Sequence, residues 1–466
     1  MLEGIIQKIT NNKKITSTKI YKNYLFKIAR NIVFSGEEGI PAEIYYDCGV
    51  QIYKQGHRED ALFAFTKAIE LAPNYAKAYL YRGFIYGNQN KEIEAIADFT
   101  TTIQLDPENS EAYYYRGNIY NQLGGYEKAI EDLNFAIQYD SAYVDSYILR
   151  GNTYSRLEKY DNALQDYNQA LKIDPSSALA YYNRGVMHQD KQDHDQAIAD
   201  LSKSIELNPS DADAYIHRGI SHSSNKEFEK AINNYSKAIQ FAPKNSHFYN
   251  DRGSCYSDFG KLEEAIADYT YAIQLAPNDP IPYYNRGNQY ARLKNYKQAI
   301  LNFTKAIQLD STDPDFFSNR GNAYELLDEY ENAIKDFNQA IELSPNNENL
   351  YNERAWAYYL AGKYPEALAD SNKSLKLEPN DAAALDTRGA VYLALGEFDK
   401  ALADLNQSIE LQNDIPESYF HRGQVHLKLS HYKEAIADFE KALELEPDYE
   451  EAKEALAEAR KALESN

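Results

Sequence analysis

The apolar positions of the chain recur every 34 residues. Counted from Ala42, positions 21, 28 and 30 of each 34-residue unit are almost always Ile or Leu, position 4 is Tyr, Phe or Leu, and position 11 is mostly Tyr. These spacings place the apolar side chains on helical faces. Polar residues occupy positions 14–16, and Pro follows at position 32 in nine units. The pattern therefore predicts twelve contiguous units, residues 42–449, and in each unit two short helices joined by a polar turn.

Three further positions carry small residues and indicate how the two helices meet. Position 8 is Gly in eleven units and Ala355 in the tenth, position 20 is Ala in all twelve, and position 27 is always small. Small side chains allow helix backbones to approach closely. Neither short helix can bury its apolar face alone, so neighbouring units must stack and share one continuous core. The pattern predicts an all-α helical solenoid.

The pattern Y-x-x-R-G-x-x-Y…A-I…A-I-x-L-x-P resembles the tetratricopeptide repeat (TPR) family. The resemblance covers residues 42–449 as twelve repeats and implies an α-α superhelix, a TPR solenoid, whose first helices line a concave groove. Residues 1–41 then form a basic N-terminal segment, and residues 450–466 a C-terminal capping helix. This chain departs from the family at position 7, where the family usually has Leu and eleven repeats here have Arg.

The eleven arginines at position 7, named here the arginine ladder, raise the question of a ligand site. Position 23 is Asp in nine repeats and Asn in two, whereas the first repeat has Cys48 at position 7 and Ala64 at position 23. A turn near positions 15–16 places position 7 across from position 23 or 24, and the polar residues at positions 7 and 23 are absent together from the first repeat. We therefore expect Arg–Asp bonds between the two helices of most repeats. The alternative is a ladder that binds phosphate or carboxylate ligands.

The family resemblance also implies that positions 2, 5, 9, 12 and 13 face the groove. Large apolar side chains gather at these positions in two places, and such patches with Tyr and Trp anchors are typical of partner surfaces. The first patch is Tyr46, Phe84, Tyr114 and Tyr182. The second patch is Leu326, Trp356, Tyr359, Leu360 and Leu393. The alternative is that these side chains pack against neighbouring helices.

Asparagine recurs at positions 6 and 9 of the first helices. An amide side chain offers both a donor and an acceptor, which suits the backbone of an extended peptide, and related proteins use such asparagines in this way. The same residues belong to the ordinary consensus of the family, so a role in the repeat itself is the alternative. The asparagine candidates, with Tyr284 at position 5 beside them, are Asn118, Asn152, Asn183, Asn285, Asn288, Asn319 and Asn322.

The two ends of the chain differ from the repeats. Residues 1–41 hold seven basic and three acidic residues, and an apolar residue recurs every four positions, at Ile20, Tyr24, Ile28 and Ile32. This basic amphipathic helix fits a cap on the first repeat, an arm that docks on a membrane or a partner, or a targeting segment. Any membrane contact is expected only here.

The C-terminal stretch, residues 450–466, has one apolar stripe opposite a charged face. Its stripe consists of Ala452, Leu456, Ala459 and Leu463. A helix with this pattern is the expected cover for the core that the last repeat would otherwise expose.

Composition narrows the function classes. The formal net charge of −22 argues against nucleic acid as a partner. No apolar run is long enough to cross a membrane, no secretory signal is apparent, and Cys48 and Cys255 form no disulfide pattern, which favours a cytoplasmic protein. We find no phosphate loop and no metal-ligand motif. His188 and His222 replace Tyr at position 11 of adjacent repeats, and substituted core aromatics explain them better than a metal site.

The sequence thus predicts a non-catalytic scaffold, not an enzyme, with no cofactor and no metal. Its groove would bind an extended or helical segment of another protein. The alternative function is structural self-assembly into a homo-oligomer, with the N-terminal segment of one chain docking on another.

Overall fold

The computed structural model describes residues 19–36 and 39–465, with side chains from Phe26 onward, and this part of the chain contains helices and no strands. It divides into two compact units, residues 1–227 and 228–466. The helices of the first unit are α1 (Lys19–Val33), α2 (Ala42–Lys54), α3 (Arg58–Leu71), α4 (Ala76–Asn88), α5 (Glu92–Leu105), α6 (Ser110–Gln122), α7 (Tyr126–Tyr139), α8 (Val144–Arg156), α9 (Tyr160–Ile173), α10 (Ala178–Asp190), α11 (His194–Leu207) and α12 (Ala212–Ser224).

The second unit continues the same alternation of helix lengths. Its helices are α13 (Phe228–Phe241), α14 (Ser246–Asp258), α15 (Leu262–Leu275), α16 (Pro280–Arg292), α17 (Tyr296–Leu309), α18 (Pro314–Glu325), α19 (Tyr330–Leu343), α20 (Glu348–Leu360), α21 (Tyr364–Leu377), α22 (Ala382–Ala394), α23 (Phe398–Leu411), α24 (Pro416–Lys428), α25 (Tyr432–Leu445) and α26 (Glu450–Ser465).

The predicted helix pairs are confirmed in register. In nearly every repeat the first helix occupies positions 1–13 and the second positions 17–30. The turn between them has a positive φ at position 15 in all twelve repeats, and only five of those residues are Gly, such as Gly56 with φ 86°. Consecutive helices pack against each other within each unit. The all-α fold is that of a TPR solenoid.

A large side chain at position 24 packs over the glycine at position 8. In the ninth repeat Phe337 is fully buried, and a Cβ atom added to Gly321 would lie 2.8 Å from its ring. The tenth repeat has a larger residue at position 8, Ala355, and a smaller one at position 24, Ser371, and both are fully buried. The glycine thus provides the space that the ring fills, and the two positions vary together.

The predicted Arg–Asp bonds are confirmed in nine repeats. In each, Nε and Nη2 of the arginine donate to the two carboxylate oxygens of the aspartate at distances of 2.6–2.9 Å. The eighth repeat has asparagine there, and Nε of Arg286 donates to Oδ1 of Asn302 at 2.9 Å. These bonds join the first helix to the second and satisfy the guanidinium inside the repeat. The pairs are Arg82–Asp98, Arg116–Asp132, Arg150–Asp166, Arg184–Asp200, Arg252–Asp268, Arg320–Asp336, Arg354–Asp370, Arg388–Asp404 and Arg422–Asp438.

The arginine ladder also joins neighbouring repeats, which the sequence did not reveal. From the third repeat onward, Nη1 of each arginine donates to the side chain at position 25 of the preceding repeat, a Thr, Ser or Asn, at 2.5–3.0 Å. In ten repeats the guanidinium also lies 5.4–5.9 Å from the centre of the aromatic ring at position 4. An arginine with both kinds of bond, such as Arg116, therefore joins its own helix to the second helix of its repeat and to that of the preceding repeat. We call positions 7, 8, 20, 23, 24 and 25 the frame.

Helices at both ends pack on the repeats next to them. On α1, Ala29 and Val33 are buried against the first repeat, and Nε of Arg30 lies 2.8 Å from a carboxylate oxygen of Asp60. Ile32 of the predicted apolar face also packs there and Ile28 is half-buried, whereas the side chains of Ile20 and Tyr24 lie outside the described residues. Residues 1–18 lie outside them too, so an arm or a targeting role for this segment stays a prediction.

The C-terminal helix α26 lies against α25. Ala452 and Ala459 are fully buried in a cluster with Phe439, and Leu456 packs on the same cluster. Leu463, the last residue of the predicted stripe, is 39% exposed. The first three stripe residues thus cover the apolar face of the last repeat.

Candidate peptide-binding groove

Aromatic rings form a connected chain along the first helices of repeats 1–3. The ring of Tyr46 lies 5.7 Å from that of Tyr81, Tyr81 lies 5.4 Å from Phe84, Phe84 lies 4.3 Å from Tyr115, and Tyr115 lies 5.0 Å from Tyr114. Three of the four aromatic residues predicted for the first patch are thus brought together. The residues at position 6, Tyr81 and Tyr115, connect them, and the sequence analysis had not selected either.

The fourth predicted residue has different neighbours. The ring of Tyr182 meets His217 edge-on at 5.6 Å, and burial raises the pKa of Tyr182 to about 12. Beside it, Nδ2 of Asn183 donates to the carbonyl oxygen of Leu179 in its own helix at 2.9 Å. Tyr182 is therefore a separate surface feature in repeat 5.

A pocket of ≈ 550 Å³ opens among repeats 1–3 beside this chain of rings. Phe84 and Asn118, both predicted, line it together with Tyr53, Tyr81 and Tyr115. The remaining lining residues are Gly83, Gly87, Asn88, Phe99, Glu111, Ile119 and Gln122. Seven of the twelve lining residues stand at positions 2, 9, 12 and 13, which the family resemblance implies face the groove, whereas Tyr81 and Tyr115 stand at position 6 and none stands at position 5.

One predicted asparagine of the first unit serves the repeat itself. Oδ1 of Asn152 accepts a hydrogen bond of 2.6 Å from the hydroxyl of Tyr167, which is the buried ring at position 24 of the same repeat. Its acceptor is therefore engaged in the frame, whereas Asn118 lines the pocket.

In the second unit, predicted asparagines form hydrogen bonds with polar side chains of a neighbouring repeat. Nδ2 of Asn285 donates to Oδ1 of Asn250 at 3.0 Å. Nδ2 of Asn319 lies 2.8 Å from the hydroxyl of Tyr284 and 3.1 Å from Oδ1 of Asn288. The side chain at position 6 of one repeat is thus hydrogen-bonded to side chains at positions 5 and 9 of the preceding repeat. A peptide would meet asparagines whose orientation these bonds already fix.

Two half-buried carboxylates interrupt this row of amides. Glu353 accepts hydrogen bonds from Ser318 at 2.7 Å and from Asn322 at 3.3 Å, and burial raises its pKa. Burial and, second, the charge of Glu353 raise the pKa of Glu325 to about 7. The groove of repeats 9 and 10 is therefore acidic and carries a group that titrates near neutral pH.

We expect Glu325→Gln to stabilise the protein at pH 8 and not at pH 5. The folded wild type holds the Glu325 proton more tightly than the unfolded chain does, so protonated Glu325 contributes its full stabilisation below the ordinary pKa of 4.5, and the wild type loses this contribution as the pH rises through 7. Above pH 7 the charge on this buried carboxylate costs about 3 kcal/mol, which the amide avoids. Urea denaturation of both proteins at the two pH values measures the difference. Glu342→Gln, an exposed change in the same repeat, should show no such pH dependence.

The second predicted patch is only partly assembled. The rings of Trp356 and Tyr359 stack at 4.9 Å, and Trp356 reaches across repeat 11 to within 6.0 Å of His421. The small residue at position 9 of repeat 11, Ala390, is consistent with that reach, and Nδ1 of His421 lies 3.0 Å from Oδ1 of Asp386. Trp356 is thus partly buried by packing inside the groove.

The three leucines of this patch differ in their surroundings. Leu326 is 58% exposed, and Leu360 is half-buried. Leu393 packs against the cluster that contains Leu405 and Val425. The stacked rings of Trp356 and Tyr359 are the stronger anchor candidates.

The histidines singled out from the sequence have ordinary partners. Nδ1 of His222 lies 2.6 Å from Oε2 of Glu227, and Nε2 of His188 lies 3.9 Å from Oδ2 of Asp200. Within the described residues no group of three His, Cys, Asp or Glu side chains is arranged to hold a metal ion. In the same residues, no helix combines the length and apolarity that crossing a membrane demands.

Stacked helix pairs with a repeated frame and a variable groove define a helical repeat protein. Family models described as "TPR repeat" and "Tetratricopeptide repeat" match most of the chain, and the chain belongs to the tetratricopeptide repeat family. The matched residues are 42–75, 64–97, 99–131, 117–158, 151–192, 178–211, 212–245, 234–267, 253–294, 287–328, 314–347, 337–369, 389–430 and 416–449.

Several solved structures are similar to the chain at low sequence identity. The chain is similar to the APC/C hetero-tetramer Cut9–Hcn1 (16% identity, 93% of this chain and 98% of that chain, TM-score 0.48). It is also similar to a tetratricopeptide repeat protein from Parabacteroides merdae ATCC 43184 (21% identity, 53% of this chain and 98% of that chain, TM-score 0.47). A third similar structure is yeast Tom70 (18% identity, 91% of this chain and 96% of that chain, TM-score 0.40). Comparison with curated proteins gives no match.

Proposed function

We propose that the chain is a non-catalytic scaffold that binds an extended or helical segment of another protein in the groove of its first helices. The observation that carries this proposal is the connected aromatic chain from Tyr46 to Tyr114 with the pocket beside it. Tyrosine rings supply large contact areas with few rotatable bonds and a polar edge, which suits protein partners.

The paired arginines support this assignment by removing the main competing site. Nine guanidinium groups form two hydrogen bonds each with an aspartate of the same repeat, so the positive charge of these arginines is already balanced within the frame. Recognition is then left to the positions that vary from repeat to repeat. The net charge of −22 disfavours nucleic acid, and the buried thiols of Cys48 and Cys255 fit a reducing, cytoplasmic compartment.

The experiment is selection of groove ligands from a phage-displayed library of random peptides, followed by calorimetry with the synthetic peptides. We expect Tyr115→Leu to weaken the binding of peptides that occupy repeats 1–3 about tenfold. Tyr271→Leu provides the matched control, because Tyr271 is 46% exposed on a second helix, α15. Equal affinities for wild type and Tyr115→Leu across all selected peptides would contradict an aromatic groove site.

A second candidate function is self-assembly through the N-terminal segment. Charge favours it, since residues 1–41 carry seven basic against three acidic residues while the whole chain carries −22. The measurement is the mass of the full chain by light scattering at high protein concentration. A dimer or larger assembly that dissociates with added salt is the expected result, and a monomeric mass contradicts it.

A further inference from the structure

A single glycine opens the pocket among repeats 1–3. Gly87 stands at position 12 of α4, and a Cβ atom added there would meet only Cδ1 of Ile119, at 3.9 Å. Neither a close backbone approach nor a left-handed φ requires glycine here, and glycine within a helix costs about 1 kcal/mol relative to alanine. Every other repeat has a side chain at position 12: Tyr53, Asn121, Ser155, Gln189, Ser223, Ser257, Ala291, Glu325, Tyr359, Leu393 and Leu427.

Aromatic rings from three consecutive first helices surround the space that Gly87 leaves. Tyr53 of α2 and Tyr81 of α4 meet at 6.2 Å with an interplanar angle of 90°, and Phe84 and Tyr115 meet at 4.3 Å and 62°. In each such pair one ring meets the other edge-on, so a group placed beside the pair in the pocket can lie on the face of a ring. Ring faces are negative and attract cations.

The only charged residue lining the pocket is a carboxylate. The twelve lining residues include Glu111 and no Lys, Arg or His. Glu111 lines the same pocket as Tyr115, and its charge contributes, after burial, to a raised pKa of Tyr115. A cation entering the pocket would therefore gain both a counter-charge and aromatic faces.

We propose that this pocket, defined by Gly87, Glu111 and the rings of Tyr53, Tyr81, Phe84 and Tyr115, binds an arginine side chain of the partner segment. The inference rests on the proposed groove function and specifies the chemistry of the ligand. Arginine is chosen over lysine because its planar guanidinium stacks on a ring and donates to a carboxylate at the same time.

The frame of this protein shows the same three groups in contact. The guanidinium of Arg252 lies 5.8 Å from the ring centre of Tyr249, while its Nε and Nη2 donate to Asp268 at 2.7 and 2.8 Å. The pocket offers the tyrosine rings and the carboxylate of this arrangement without the arginine. A partner's guanidinium would complete it.

Peptide selection on the full-length protein tests the assignment. Peptides selected on wild type should be enriched in arginine, and the enrichment should disappear on Gly87→Leu, whose side chain fills the pocket. Replacing the arginine of a selected peptide with citrulline, which keeps the shape and removes the charge, should weaken binding to wild type about tenfold. The same change should have a smaller effect on Glu111→Gln, about threefold, because that variant has lost the counter-charge and retains the aromatic rings.

Two controls separate pocket effects from folding and from total charge. Gly87→Leu should unfold at the same or a higher temperature than wild type, since it replaces a helical glycine. Glu127→Gln removes the same charge from an exposed site on α7 and should leave the citrulline effect unchanged.

The outcomes distinguish this inference from the groove proposal. Selected peptides that respond to Tyr115→Leu but share an apolar or acidic residue, or that tolerate citrulline, would overturn the arginine subsite and leave the groove function standing. Peptides that respond to neither Tyr115→Leu nor Gly87→Leu would overturn both.

Discussion

Replacing Arg320 with methionine is expected to lower the free energy of unfolding of repeat 9 by about 3 kcal/mol. The change removes two hydrogen bonds of 2.7 Å to Asp336 and one of 3.0 Å to Thr304 in the preceding repeat. Asp336 is 4% exposed, so its carboxylate would be left without a counter-charge in a buried place. The lost bond to Thr304 adds a weakening of the contact between repeats 8 and 9.

Hydrogen exchange of the amides in α18 and α19 is the suitable measurement, because a long repeat array opens in stretches and not as one unit. The matched control is the double variant Arg320→Met with Asp336→Leu, which removes the orphaned charge and should recover most of the loss. Wild-type protection in Arg320→Met would contradict a bracing role for the arginine ladder.

The second large effect is expected for Gly321→Ala, which should destabilise repeat 9 by about 2 kcal/mol. The new methyl group would lie 2.8 Å from Cε1 of Phe337, and this fully buried ring has little room to move. Overpacking of this kind typically costs 1–3 kcal/mol, more than the roughly 1 kcal/mol that alanine gains in helix propensity.

The identical change at Gly87 provides the matched control with the opposite sign. Gly87→Ala adds its methyl group to the open pocket, where the nearest atom lies 3.9 Å away, so it should stabilise by about 0.5–1 kcal/mol. Urea denaturation of both variants tests the pair. Stabilisation by both would mean that the ring of Phe337 yields easily and that position 8 does not need glycine.

The frame could be predicted from the sequence because twelve copies vary around one geometry. The joint absence of Arg and Asp from the first repeat, at Cys48 and Ala64, identified the contact between positions 7 and 23. The bond from each arginine to the preceding repeat was missed because position 25 changes among Thr, Asn and Ser, and no apolar period marks it. Each of these residues nevertheless supplies an acceptor oxygen, which a search for shared chemistry could have found.

The sequence predicted which residues belong to the candidate groove better than it predicted which of them touch. Tyr46, Phe84 and Tyr114 do lie in one connected chain, but Tyr81 and Tyr115 at position 6 connect them. Position 6 changes its chemistry along the array, from tyrosine in repeats 2 and 3 to asparagine and glutamate later, so no consensus signals its role.

Long-range contacts in the second unit show a further limit of sequence reasoning. Trp356 reaches His421 two repeats away, across the small Ala390 of the repeat between them. Such a contact depends on how closely three first helices approach one another, which is a property of the packed array and not of any one repeat.

The most direct test of the account locates a bound peptide on the protein. A photo-reactive p-benzoylphenylalanine placed at Asn118, which lines the pocket in the groove, should form a cross-link to a selected peptide. The same group at Glu127, exposed on the second helix of that repeat, should form none. Cross-linking at position 127 and not at position 118 would contradict recognition through the groove of the first helices.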